Sequence, residues 1–527
     1  MFVFMNRLAW LLGAPLCFVL PACADDSAAD GDGTSEASGG GTGDGSESAD
    51  GTDDGSNFEP IPARGITITE VEANSGTRVS IGLNGAWVDG NGRSAYLPRD
   101  RDTLIRVLFE LDEGWVPRPI EARLHLEYPD GTLETQTQIL DIETNANPNF
   151  IDRGFYFGLT AENGATVPGM KYQVELWEVA PGGENLAEHI NVTPTAGRDL
   201  IGFENAELEM NIVFVPINYN GTLPGLTEED QKFVVEQGLL QHNPLQRVNV
   251  EWHEPIAYNQ TISDLGQLLP VMSQLRQNEG RGATNWYYAA LVKTGGGGVN
   301  NVAGIAYVVG AQPAADRVSA NVWWRTESSS DTIVHEVGHN QGFSHVFCAG
   351  GGSTGNDPNY PDPAGYIRER GFGIRDFQVR PPTQFDYMTY CGPSWVSDWT
   401  WNRAYTRIQT LTSYDNGGAT PPSTIPVLKG LLYEDGRTEW WTGDGSFDPE
   451  ESSGNYVVQF DIDGQTLTQP AKQSLLSDDR TRWIEVPLPD GGVDALSGLR
   501  LETPDRLVQV SPSEITVNHT IPESPEK

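Results

Sequence analysis

One stretch constrains the fold of this 527-residue chain more than any other: His335-Glu336-Val337-Gly338-His339-Asn340-Gln341-Gly342-Phe343-Ser344-His345. On a helix, His335 and His339 are four residues apart and stand one above the other on one face, where two imidazoles can take the same ion. Glu336 sits beside that face, close enough to reach a water at the metal without being a ligand. Gly342 can end the helix in a sharp turn, and three residues later His345 can swing back as a third ligand. Three protein ligands leave one tetrahedral position open, which means catalysis rather than structure. A lone histidine is ordinarily a core or surface residue, and the shorter H-E-x-x-H turns up by accident in unrelated helices. Meeting all five fixed positions leaves a decayed site as the remaining alternative.

Downstream, Phe385-Asp386-Tyr387-Met388-Thr389-Tyr390-Cys391-Gly392-Pro393 contains Met388, one of only 6 methionines, so its place after the third histidine carries information. The two motifs together resemble the metzincin clan of zinc metallopeptidases, whose signature is H-E-x-x-H-x-x-G-x-x-H followed by a methionine turn. The resemblance implies Zn2+ held by His335, His339 and His345, with Met388 as the apolar floor beneath them. It implies a zinc endopeptidase in which Glu336 takes a proton from water and passes it to the leaving amine. Tyr390 matches the Met-x-Tyr spacing of the astacin-like and serralysin-like branches, where the phenol binds zinc at rest and swings out to hold the oxyanion. The other reading of Tyr390 is a wall residue capping a backbone group. Val346 follows the third histidine where the best-known branches carry Asp, Glu, Ser or Pro, so the branch stays open.

The start of the chain indicates an export route. Met1 to Arg7 is short and positive, Leu8 to Leu20 is apolar but too short to span, and Leu20-Pro21-Ala22-Cys23 follows. This resembles a bacterial lipoprotein signal, with residues 1–22 removed and Cys23 lipidated. Secretion after cleavage near Ala22 or Ala24 is the alternative. The expected locations are thus the bacterial surface or outer membrane by lipid anchor, or the medium. Residues 23–57 are an acidic Gly/Ser stretch with no Lys, Arg or aromatic side chain, a tether too polar to fold. Its Asp-Gly repeats lack the spacing and terminal Glu of a calcium loop, so structural Ca2+ has no support. The formal net charge of -40 argues against nucleic acid and anionic lipid as partners. With Cys17 in the signal and Cys23 lipidated, Cys348 and Cys391 remain. A disulfide between them would tie the third ligand's loop to the methionine turn, and joint metal ligation is the weaker alternative.

The folded part divides into three. Residues 58–205 alternate as strands, with Ile105, Val107, Phe109 and Leu111 on one face and a turn at Pro129-Asp130-Gly131, which predicts a β-sandwich. Residues 206–415 mix strands and helices. Thr227-Glu228-Glu229-Asp230 is a capping box, Ser263 to Glu279 is a helical stretch interrupted by Pro270, and Ser330 or Asp331 caps the histidine helix. This order resembles a metzincin α+β catalytic domain. The family fold implies an edge strand for substrate, from Gly304 to Gly310 or from Val318 to Trp324. Ala349 to Pro382 is a long insertion whose Tyr360, Tyr366 and Phe372 are candidates for the cleft or for loop packing. Residues 420–513 read as a second β-sandwich, with Trp440 and Trp441 facing opposite sides so that at most one lies in the core. Residues 514–527 are a tail. His125, His189, His242, His253 and His519 lack ligand spacing and receive no role.

The expected whole is multidomain: a metzincin-like α+β domain between two β-sandwiches. It is an exported, monomeric zinc endopeptidase of extracellular proteins or glycoproteins, including mucin-type ones. A surface adhesin or glycan-binding lipoprotein with a non-catalytic zinc domain is the rival, and the intact Glu336 weighs against it.

Overall fold

Glu209–Tyr219 is a nearly unbroken apolar run and forms the strand at the heart of the central sheet. A parallel strand covered on both faces needs apolar side chains on both, and Ile212, Val213, Phe214 and Val215 are all fully buried. This computed structural model describes residues 58–517, apart from 282–285, 310–315, 449, 451 and 453. The signal, Cys23, the tether and His519 lie outside the described residues. No helix among the described residues is long and apolar enough to cross a membrane.

The central sheet runs in the order Arg247–Trp252, Glu209–Tyr219, Trp286–Val292, Val318–Val322, Gly304–Ala306. Its first four strands are parallel, and Gly304–Ala306 is antiparallel at the edge. The edge therefore comes from Gly304–Ala306, while Val318–Val322 is interior and fully buried.

Four helical segments pack on this sheet. Thr227 caps the first reciprocally with Asp230, as its sequence predicts, and Glu228–Phe233 continues as a π-helical stretch, Val234–Leu240. Pro270 does not interrupt its helix. It lies in the first turn of Leu268–Asn278, where a missing N–H costs nothing. The histidine helix, Thr326–Asn340, begins earlier than Ser330 or Asp331. Ser329 serves its start differently, accepting hydrogen bonds from the N–H groups of Trp324 (3.1 Å) and Arg325 (3.4 Å). A longer helix, Asp398–Asp415, follows the methionine turn and is capped by Ser397.

In the N-terminal region one five-stranded sheet carries Ile66–Asn74 and Thr103–Leu111, and a second sheet carries Arg118–Glu127 and Lys171–Glu178. Ile105, Val107 and Phe109 face inward, as the alternation predicts. The core they join is continuous with that of the central region, reaching Ile212, Val337 and Ile408. The opposite face of Thr103–Leu111 is buried as well as far as Leu108. There Arg106 pairs with Glu72 at 3.3 Å, and Arg370 reaches Glu72 at 2.7 Å from the long insertion. The insertion thus spends its aromatics on packing: Phe372 joins Leu104 and Ile374, Tyr366 packs on Phe385, and Tyr360 donates to the Tyr366 carbonyl. None of the three borders the cavity beside the histidines.

The C-terminal region, from Ile425, also has two sheets, with tight turns at Asp435-Gly436 and Asp463-Gly464. Trp440 and Trp441 do face opposite sides, yet both are buried. Trp440 fills the region's own core, and Trp441 joins Leu431, Tyr433, Leu476 and Trp483 in a cluster shared with Leu268, Met272 and Tyr307 of the central region. The expected exposed tryptophan is therefore an interface residue. Beside it Lys429 and Asp316 form an ion pair with both side chains almost fully buried.

Candidate active site

The turn at Gly342 works as the sequence requires. Its φ is +90°, and a Cβ there would lie 2.4 Å from the Val309 carbonyl oxygen, so the close approach itself needs glycine. The turn brings His345 back to the helix. His339 Nε2 lies 3.0 Å from His335 Nε2 and 3.2 Å from His345 Nε2. Among the described residues this is the group of His, Cys, Asp or Glu side chains whose ligand atoms converge for a metal.

Each ring is held from behind. The Nδ1–H groups of His335 and His339 donate to the carbonyls of Tyr387 (2.8 Å) and Phe343 (2.7 Å), and His345 Nδ1 lies 3.1 Å from Asp479 Oδ2. Protonation at Nδ1 leaves each Nε2 as a lone pair aimed inward. Burial, with the neighbouring imidazole of His345 adding to it, pushes His335 down to about 3, and burial holds His339 well below the usual histidine range. All-nitrogen donors suit zinc. Bonds of about 2.1 Å in a tetrahedron place ligand nitrogens about 3.4 Å apart, so these rings need only a small adjustment to hold it.

Below the histidines lies the methionine turn. A Cβ on Gly338 would sit 2.4 Å from Met388 Sδ, so the sulfur lies directly against the helix backbone. Asp386 organises the turn: it is fully buried and accepts from the Met388 N–H (2.8 Å), the Ser397 hydroxyl and the Thr400 hydroxyl (2.7 Å). His242 packs under the same turn against Tyr387 and Trp395. Cys348 and Cys391 form a disulfide, with Cα atoms 6.2 Å apart.

Glu336 is 4% exposed, and burial pushes its carboxyl up to about 8, against the pull of the Ser477 hydroxyl, which donates to Oε2 at 2.8 Å. Gly304 of the edge strand allows the close fit, because a Cβ there would lie 2.6 Å from Glu336 Oε1. The Tyr390 ring lies 4.6 Å from that of His345, and its hydroxyl donates to the Ser477 carbonyl at 3.1 Å. A cavity of about 780 Å³ opens beside His335 and Glu336, between Asn301–Gly304 and Thr389–Ser394. A larger one of about 920 Å³, between Trp87, Tyr96 and Asn402, touches none of the three histidines.

The structure thus brings His335, Glu336, His339, His345, Met388 and Tyr390 together. Sequence reasoning missed Asp386, Ser477 and Asp479. Asp386 carried a signal, an acid inside an apolar run two residues before Met388. Ser477 and Asp479 carried none, lying in a strand-rich region with no motif. Of the other described histidines, His242 packs under the methionine turn without joining the ligand cluster, while His125 is beside Glu175, His189 beside Asp112 and His253 beside Glu279.

Residues 258–346 match the sequence profile of the family described as metallo-peptidase family M12B, reprolysin-like. The chain therefore carries a reprolysin-like metallopeptidase domain, a metzincin type, with the buried triad His335, His339 and His345. No curated protein matches the chain. Among solved structures, a candidate beta-galactosidase from Bacteroides fragilis is similar at 9% identity over 86% of this chain and 74% of that one, with a TM-score of 0.15, too low to bear on the fold.

Proposed function

We propose that this protein is an exported zinc endopeptidase of extracellular proteins or glycoproteins. The observation that carries the reading is the convergence of three buried imidazoles beside the buried Glu336 carboxyl, at the edge of a sheet that borders an open cavity. Zinc bound there would supply Lewis acidity, making water a nucleophile at neutral pH and polarising the scissile carbonyl. Glu336 takes the proton from that water and delivers it to the leaving amine. Gly304 offers its backbone to an extended peptide, which pairs with the edge strand and is thereby aligned across the histidines. Tyr390, once its hydroxyl leaves the Ser477 carbonyl, is the donor for the oxyanion.

Export is supported by the signal-like start of the chain and by the Cys348–Cys391 disulfide, which persists in oxidising compartments. The same reading anchors the chain through a lipid on Cys23 and keeps it monomeric. Mucin-type glycoproteins are the first substrates to try.

The test pairs zinc content with cleavage of casein and a mucin, for the protein without residues 1–57 and for its Glu336→Ala variant. Both should hold about one zinc per chain, as three histidine ligands require, and only the first should cut. Zinc binding with no cleavage of either substrate returns the adhesin reading. Absence of zinc binding removes the reading at its root.

A further inference from the structure

The three histidines differ in what orients them. His335 and His339 donate to carbonyls of Tyr387 and Phe343, both within the peptidase region. His345, beyond the Gly342 turn, instead has a carboxylate, Asp479 Oδ2 at 3.1 Å, supplied by the C-terminal β region. We propose that Asp479 is a positioning residue of the metal centre, and that the hairpin tip carrying it, residues 476–479, is a permanent wall of the site rather than a plug that leaves. The proposal rests on the zinc-peptidase reading for its metal, but not on turnover.

Asp479 is built into place. The Thr354 N–H donates to its Oδ2 at 2.8 Å, and its own N–H donates to the Leu476 carbonyl at 3.1 Å. Gly355 leaves the room: a Cβ there would sit 2.6 Å from Asp479 Oδ1. A carboxylate on the far nitrogen of a ligating imidazole fixes its tautomer and orientation and raises its basicity toward the metal.

The tip is anchored on the edge strand. Leu476 pairs antiparallel with Tyr307. The Ser477 N–H donates to the Ala306 carbonyl at 3.1 Å, and the Ala306 N–H donates to Ser477 Oγ at 2.8 Å. Behind it, Trp441 and Trp483 lie in the core shared with Tyr307, and the Lys429–Asp316 pair is buried. Lifting the region away would expose that apolar surface and strand a charge, which disfavours reversible opening. Because the tip already pairs with Ala306 and Tyr307, an incoming peptide meets the edge strand on the Asn301–Gly304 side, where the cavity lies.

The test compares wild type, Asp479→Asn and Asp479→Ala in the purified protein. It measures zinc affinity by chelator competition, the visible spectrum of the cobalt(II)-substituted protein, circular dichroism and peptide cleavage. Asp479→Ala should weaken zinc binding about 10- to 100-fold and shift the cobalt bands. Asp479→Asn keeps an oxygen acceptor without its charge and should lose up to about tenfold. Should the alanine variant misfold, the near-isosteric asparagine variant decides, and wild-type affinity with an unshifted spectrum there overturns the positioning role. The same result in a folded Asp479→Ala overturns it directly. Faster cleavage by Asp479→Ala than by wild type overturns the permanent wall and makes the tip a plug. If wild type cuts nothing while the affinity series runs as expected, the peptidase reading fails and the positioning role stands.

Discussion

The N-terminal β region meets the peptidase region through Asn74, Gly76 and Arg78, whose partners are Arg370, Phe372, Trp395 and Glu369. The C-terminal one puts Ser477 against Glu336 and Asp479 against His345. Both regions are two-sheet assemblies of similar strand lengths, so architecture does not separate their roles. What separates them is where each contact ends. The first ends on the insertion, the methionine turn's flank, the 241–245 segment and the Asp398–Asp415 helix, where Arg101 donates to the Leu245 carbonyl and Asn402 to the Ser94 carbonyl. The second ends on the reacting face itself. The N-terminal region should therefore govern stability alone, and the C-terminal region both stability and the site.

A buried ion pair at the C-terminal interface, and a buried Glu72 shared on the N-terminal side by Arg106 of its own region and Arg370 of the insertion, offer ways to break that comparison. Lys429→Ala leaves Asp316 buried without that cation, with the Ser273 hydroxyl still donating to it, which costs up to about 3–5 kcal/mol. By loosening the region that carries Asp479, it should also weaken zinc binding. Arg106→Ala removes one partner of Glu72 but leaves Arg370 in place, so a smaller loss of thermal stability is expected with zinc affinity unchanged. Calorimetry and chelator competition on both variants decide the matter. Equal losses of zinc affinity would abolish the distinction.

The disulfide is the next lever. It links residues 43 apart, and replacing both cysteines with serine should cost about 2–4 kcal/mol. Because Thr354 and Gly355, which seat Asp479, lie inside that loop, zinc affinity should fall with stability. Limited proteolysis within 349–390 and chelator competition read the two effects separately. Loss of stability without loss of zinc affinity would show that the tip seats Asp479 unaided.

These contrasts also mark what the sequence could say. The histidine motif is legible because its geometry is local: an i, i+4 pair on one helix and a turn at a glycine depend on neighbours in the chain. The capping box at Thr227 and the hairpins at Asp435-Gly436 and Asp463-Gly464 are legible for the same reason. Asp479 is not, because its role is set by the docking of one β region on another, and docking leaves no periodic mark. Trp440 and Trp441 make the point sharply. Alternation correctly places them on opposite faces, but only the tertiary structure reveals that the outward face has a partner. The choice of Gly304–Ala306 as the edge likewise depends on strand order, which its apolar content does not encode.

His242 sharpens the comparison from the N-terminal side, because it packs on Trp395, whose indole N–H donates to the Gly76 carbonyl. Burial pushes its pKa down to about 4. The unfolded chain, with an ordinary histidine near 6.5, takes up a proton first as pH falls. The stability contribution is therefore present above about pH 6.5 and lost as pH drops from there to about 4, up to about 3 kcal/mol. His335 and His339 titrate in the same direction, so the measurement is the difference between wild type and His242→Gln with zinc bound. That difference should shrink across the window, and a constant difference would show that His242 does not report on folding.

Tyr390 is the smallest test and lies where the two roles meet. Its hydroxyl is spent on the Ser477 carbonyl, so Tyr390→Phe removes one hydrogen bond to the tip, worth about 1 kcal/mol of stability. If that bond were its whole purpose, kcat would change little and the tip would simply sit more loosely. An oxyanion donor behaves differently, because its contribution appears only in the transition state, and its removal lowers kcat about 10²-fold or more with little change in KM. The Tyr390 ring lies 4.6 Å from that of His345, tilted at 60° to it, so the phenol is already beside the metal ligands. We expect the kcat loss. Unchanged kcat with the small stability loss would assign Tyr390 to holding the tip and leave the oxyanion to the metal alone.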